Sequence, residues 1–160
     1  MSTLTSVGPP PVAGPGSVRG GGFRSPCLTR KAHRVTLSAP AQPKSVGHLR
    51  KRASMIFSAW MLTTDETQAA ELVISELLTN AVEHGHDEMT LAVARTGSAL
   101  EITVADHGRA GHRSRSDDPE EHGRGLAIVA AIAQDLIIDR ATEGWRALAR
   151  MALQTPVSEP

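Results

Sequence analysis

Glu71-Leu72-Val73-Ile74-Ser75-Glu76-Leu77-Leu78-Thr79-Asn80-Ala81-Val82-Glu83-His84-Gly85 is the stretch that decides the fold. Ile74, Leu77, Leu78 and Ala81, with Ala70 one turn earlier, recur at the three- and four-residue steps that give a helix one apolar stripe. Thr64 or Asp65 offers an N-cap upstream, and Gly85 stands where a glycine ends a helix, so the spacing predicts a helix over 65–84. Glu76 and Asn80 are four residues apart and share one side of it. On a helical wheel Asn80 falls about 60° from Leu77, at the border of the core. A carboxylate and an amide one turn apart can serve a metal ion and a reacting hydroxyl together. Taken alone, such a pair is commonly no more than a solvated face.

Outward from this helix the chain alternates between the two common periods. Upstream, Val46, Leu49, Ala53, Ile56 and Trp60 predict a helix over 44–62, and His33 to Ser38 alternates as a strand does. Downstream, Met89 to Ala94 and Ala99 to Ala105 are two short strands around Thr96-Gly97-Ser98, a hairpin signal. Arg109 to His122 is polar and without period, and reads as a mobile loop. Gly123 to Gln134 reads as an apolar helix, Leu136 to Arg140 and Trp145 to Leu153 as strands around a turn at Glu143-Gly144. Hairpin links in place of regular βαβ alternation imply an α+β fold. The expectation is a two-layer sandwich: a mixed, mostly antiparallel sheet with about three helices on one face.

Composition bounds the rest. The chain has 160 residues, and Lys+Arg and Asp+Glu balance at 17 each, which argues against nucleic acid or an anionic membrane as the direct partner. Residues 1–32 hold most of the Gly and Pro and read as a disordered tail. The folded domain is expected over 33–154, with a short tail at 155–160. The single cysteine, Cys27, has no partner for an internal disulfide, no apolar run approaches the ~20 residues of a membrane span, and no secretory leader is evident, so a cytoplasmic protein is expected.

Two further segments carry chemistry. Asp106-His107-Gly108 closes a buried strand with an acid two residues before a glycine, which can aim a carboxylate into a pocket while leaving the backbone open to a flat ligand; it is also an ordinary turn. His122-Gly123-Arg124-Gly125-Leu126 opens an apolar helix with glycines, and unpaired N–H groups there suit phosphates. It is neither a Walker loop nor a dinucleotide fingerprint, and as an isolated motif it is also a plain N-cap. The histidines His84, His86, His107, His112 and His122 are scattered over loops and read as surface residues before zinc ligands. His84 stands as a phosphate contact or as a helix-end cap.

In this order the three segments resemble the GHKL ATPase/kinase superfamily. The stretch 71–85 looks like its N box, Asp106-His107-Gly108 like its first glycine box, Gly123-Arg124-Gly125-Leu126 like its second, and the loop between them like its ATP lid. The resemblance runs from about Arg34 to Leu153. A short lid, a helix before the N box and no phosphoacceptor-histidine domain place it beside the anti-sigma-factor serine kinases, and a sensor histidine kinase fragment comes last. The resemblance implies a Bergerat-type ATP-binding fold with ATP and Mg2+. It implies Asn80 as metal ligand, Glu76 as general base, Asp106 as acceptor from the adenine amino group and Gly108 as the opening for the ring. Gly123, Arg124, Gly125 and Leu126 are implied as backbone donors to the phosphates. The implied activity is ATP-dependent protein serine/threonine kinase, acting on an anti-anti-sigma partner in transcription regulation and binding a sigma factor; a homodimer is left open. The alternative is a catalytically inactive, ATP-gated protein-binding module. Two positions depart from the family pattern: Ala110 stands where a second glycine is usual, and Gly144 is followed by Trp145 and Arg146 in place of a threonine.

Overall fold

In the computed structural model, residues 33–84, 87–107, 119–141 and 144–154 are described. Their elements run β1 (His33–Pro40), α1 (Pro43–Ala59), α2 (Thr64–His84), β2 (Glu88–Thr96), β3 (Ala99–Asp106), α3 (Pro119–Ile132), β4 (Asp135–Ala141) and β5 (Gly144–Ala152). The strands form one sheet in the order β1-β2-β3-β5-β4. Every neighbouring pair is antiparallel, so of the mixed sheet expected only the antiparallel part is present among the described residues.

Alternation decides which face is covered. On β5, Trp145, Ala147, Ala149 and Met151 are buried while Arg146 and Arg150 are exposed, the period of two that puts one side of a strand against a core. Leu100, Ile102 and Val104 of β3 and Leu91 and Val93 of β2 are fully buried on the same side. The helices meet them there. Leu49, Ala53 and Phe57 come from α1, Val73, Ile74, Leu77, Leu78 and Ala81 from α2, and Val129 from α3. With Phe57 and Trp145 its only aromatic rings, this core rests on aliphatic packing, each large side chain contributing about 1.5–3 kcal/mol. α2 is the middle helix, packed against both α1 and α3 and across β3.

The ends of the helices differ from expectation in instructive ways. α1 starts at Pro43, where a fixed φ and a missing N–H cost nothing in the first turn. It stops at Ala59, three residues short of Leu62: Met61 takes a positive φ of 57° and reverses the chain. The Arg95 guanidinium of β2 donates to the Trp60 carbonyl at that terminus. α2 is capped by Thr63, not by Thr64 or Asp65. The Glu66 N–H donates to Thr63 Oγ1 at 3.2 Å and the Thr63 N–H to Glu66 Oε2 at 2.8 Å, a reciprocal capping box. Glu66 Oε1 accepts the Gln154 N–H at 2.7 Å, tying the end of β5 to the start of α2.

The largest correction concerns α3, which begins at Pro119 and not at Gly123. Pro119 followed by Glu120-Glu121 supplies a preset φ and first-turn acids, the usual chemistry of a helix start. Part of the segment expected as loop, residues 119–122, is therefore helical. The rest of that loop, the turn at Gly85 and the tails 1–32 and 155–160 lie outside the described residues.

Candidate functional site

α2 presents three kinds of surface within two turns. Leu77, Leu78 and Ala81 face the core, fully buried. Glu76 is half-buried on the flank that meets α3. A Cβ placed on Gly125 of α3 would lie 2.5 Å from Glu76 Oε2, so the carboxylate in this position rests against the bare glycine. The N-box acid and the second glycine segment, 49 positions apart in sequence (125 − 76), are thus side by side.

Asn80, one turn on, is 9% exposed, and its Nδ2 has no hydrogen-bond partner among the described residues. A buried amide left unpaired costs about 1–3 kcal/mol. A half-turn of the carboxamide presents its oxygen to the same space. A side chain of this kind fits a ligand that brings its own donors, acceptors or metal.

β3 delivers the third group. Asp106 is the last residue of the strand, 5% exposed, on the helix-covered side with Val104 and its ladder partner Met89. The His107 N–H donates to the Glu88 carbonyl at 3.0 Å, carrying the β2–β3 pairing one step past Asp106 and fixing its backbone. Only residues 85–87 separate α2 from β2, a reach of about 14 Å at most, so the C-terminal end of α2 and Asp106 share one end of the molecule. Gly144 opens β5 beside them with φ 138°, and a Cβ there would lie 2.2 Å from the Asp106 carbonyl oxygen. The sequence offered Gly144 as a turn residue and as the glycine that the family pattern follows with threonine; its close approach to Asp106 is what the reading missed. That approach needs the β3–β5 register, which runs to Ala105 and Arg146, to be seen.

The remaining expected site residues fall unevenly. Gly123 lies at the fifth position of α3, so the free first-turn N–H groups belong to 120–122, Pro119 having none, rather than to Gly123–Leu126. Arg124 is exposed, and Leu126 is half-buried and packs on the core. Gly108 lies outside the described residues, as does the His84 side chain. Among the described residues no group of three His, Cys, Asp or Glu side chains is placed to hold a metal ion.

A buried amide and a flanking carboxylate on α2 and an acid at the end of β3 are thus set over one antiparallel sheet. The family described as histidine kinase-like ATPase domain matches residues 39–151, and the chain belongs to that family. It is 31% identical over 86 residues to the serine-protein kinase RsbW of Bacillus subtilis (strain 168), covering 51% of this chain and 54% of that protein. To the RsbW of Bacillus velezensis it is 30% identical over 79 residues, 46% and 49% of the two chains. The chain therefore spans about half the length of the curated relatives it matches. Among solved structures, the RsbU and RsbW domains of Rv1364c from Mycobacterium tuberculosis superpose with a TM-score of 0.62 at 19% identity, over 78% of this chain and 34% of that one, a likeness of fold. No helix among the described residues is long and apolar enough to cross a membrane.

Proposed function

We propose that this chain is an ATP-dependent protein serine/threonine kinase of the anti-sigma-factor type, working in the cytoplasm. Its substrate is a serine of an anti-anti-sigma partner, and it also binds a sigma factor. One observation carries the reading: the unpartnered, buried Asn80 amide one turn from Glu76, itself held against Gly125. The similarity to proteins named serine-protein kinases supports the choice of serine as acceptor.

The roles are those that the family resemblance implies, and the positions of Asn80, Glu76 and Asp106 support them. Asp106, buried at the strand end, accepts from the adenine amino group and so selects against a ring that carries a carbonyl there. Asn80 holds the metal through its carboxamide oxygen. Mg2+, when bound, would neutralise charge on the phosphates. Glu76 takes the proton of the serine hydroxyl as its oxygen bonds to the γ-phosphorus, and the bond from that phosphorus to the β–γ bridging oxygen breaks to release ADP. The first turn of α3 supplies backbone donors and a helix N-terminus to the phosphates. Because such transfer is mostly positioning and charge stabilisation, this sparse set is sufficient.

Glu76→Gln keeps the shape of the side chain and removes its basicity. ATP binding then stays within a few-fold while transfer to the partner serine falls about 10²–10⁴-fold. Calorimetry and labelled-phosphate transfer on one preparation check both. Wild-type protein that binds ATP and transfers to no anti-anti-sigma protein would establish the ATP-gated binding module instead.

A further inference from the structure

The two edges of the sheet are not alike. β1, at one edge, packs Val35 and Leu37 on the core, leaves Arg34, Thr36 and Ser38 exposed, and stops at Pro40, so that it offers a polar edge ended by proline. β4, at the other edge, runs Asp135-Leu136-Ile137-Ile138-Asp139, three apolar residues in a row with no proline or lysine. Ile137 and Ile138 point to opposite faces and are 62% and 37% exposed, so neither face of this edge is covered. β5 is its one strand neighbour among the described residues, and the row of N–H and C=O groups on its other side is open to a further strand.

The strand that β4 already accepts shows what a second one needs. Across the ladder Asp135 faces Arg150, Leu136 faces Ala149, Ile137 faces Leu148, Ile138 faces Ala147 and Asp139 faces Arg146. An acid on each side of three apolar residues is matched there by a cation on each side of three apolar residues, a pattern that reads the same in either strand direction. Both acids are exposed, and neither makes a hydrogen bond or ion pair among the described residues, so each has charge to offer on the open side.

A second copy of the chain fits this edge badly. Two β4 strands paired antiparallel with Ile137 against itself set Asp135 against Asp139 twice, like charges directly opposite. The register of full overlap, centred on Ile138, sets Ile137 against Asp139 and Leu136 against Arg140. Within the 160 residues the complementary run occurs once, as Arg146-Ala147-Leu148-Ala149-Arg150, and that run is β5 itself, already paired on both sides. The strand that matches the open side therefore comes from another protein.

We infer that β4 is a docking edge for an extended segment of a partner protein, which adds as a sixth strand and carries Lys or Arg on each side of three apolar residues. Main-chain hydrogen bonds supply affinity, and Asp135, Ile137 and Asp139 supply the choice of sequence. The inference uses none of Asn80, Glu76 and Asp106, so it stands or falls apart from the kinase reading.

Amide hydrogen exchange and chemical shifts of the full chain, titrated with the peptide Thr-Lys-Val-Ile-Val-Lys-Thr, test it. In the chain alone every second amide of β4 exchanges freely; the peptide slows those amides and shifts 135–139 to saturation. The charge-reversed peptide Thr-Glu-Val-Ile-Val-Glu-Thr binds about tenfold more weakly or worse, and Asp135→Asn together with Asp139→Asn removes that preference. The peptide comparison is made on the wild-type chain, so it decides the matter even where the variant does not fold. Equal binding of the two peptides, shifts at Thr36 and Ser38 of β1 in place of β4, or shifts that never saturate would overturn the inference. So would uniformly slow exchange along β4 in the chain alone, which would show that the chain's own tail, or a second copy seen as a dimer in sedimentation, already covers the edge.

Discussion

Gly144 is constrained twice, by its backbone angle and by its neighbour. Its φ of 138° is one that L side chains rarely adopt, and the atom a Cβ would strike is the Asp106 carbonyl oxygen, part of a paired strand that has no room to retreat. Gly144→Ala is therefore expected to destabilise the domain by about 2 kcal/mol or more, read from the urea midpoint at unchanged slope. A midpoint equal to wild type would mean that β3 and β5 do not approach as described. The same variant displaces Asp106 and weakens ATP binding, a second readout on one preparation. Asp106 itself was visible in sequence as an acid at a strand end, and Asn80 as a border position on a helix. What sequence could not supply was that Asn80 is buried without a partner, because burial depends on what packs from elsewhere.

Gly125 teaches the opposite lesson, because what meets its Cβ is the far end of a flexible side chain and not backbone. Alanine in a helix interior gains up to about 1 kcal/mol over glycine, so Gly125→Ala should leave the melting temperature equal or slightly raised. Glu76 must swing away, and a general base moved by about 1 Å loses about 10²-fold in transfer rate. A variant that is both less stable and fully active would contradict this pairing of α2 with α3. The start of α3 was misread for a physical reason: glycines at 123 and 125 look like a boundary, while the stronger signal, Pro119 followed by two glutamates, lay four residues earlier. The cap of α2 was misread among Thr63, Thr64 and Asp65, three adjacent residues that can all cap. Only Glu66, three after Thr63, singles out the first of them, and its hydrogen bonds confirm that choice.

For the whole molecule, the order and type of every described element were legible, the helices from their period near four, β1 from its alternation, and β2 and β3 as short apolar runs around a turn. The strand order was not. Alternation marks the face of a strand but not its neighbour, so nothing in His33–Pro40 announces that it pairs with Glu88–Thr96, and nothing in the last two strands announces that β5 sits inside β4. The buried cluster runs from Leu37 to Leu153, and the helices and strands that build it start at His33. Deleting residues 1–30 should accordingly shift the melting temperature by no more than about 2 °C, the effect of about half a kcal/mol. A fall of 10 °C would place part of the folding unit in that segment.

Glu66 carries a mechanical consequence. One carboxylate holds the first turn of α2 through Thr63 and the end of β5 through Gln154. β5 lies between β3 and β4, so among the described residues tension arriving at Gln154 meets the Glu66 carboxylate, and then the Leu153 N–H bond to the Ser98 carbonyl, before it reaches either ladder. A domain fused there and pulled away would peel the β5 end off its latch first, and the helix to which that latch is anchored is the one that bears Glu76 and Asn80. Force at the C-terminal end is thus routed toward the nucleotide side of the molecule instead of being spread through the sheet.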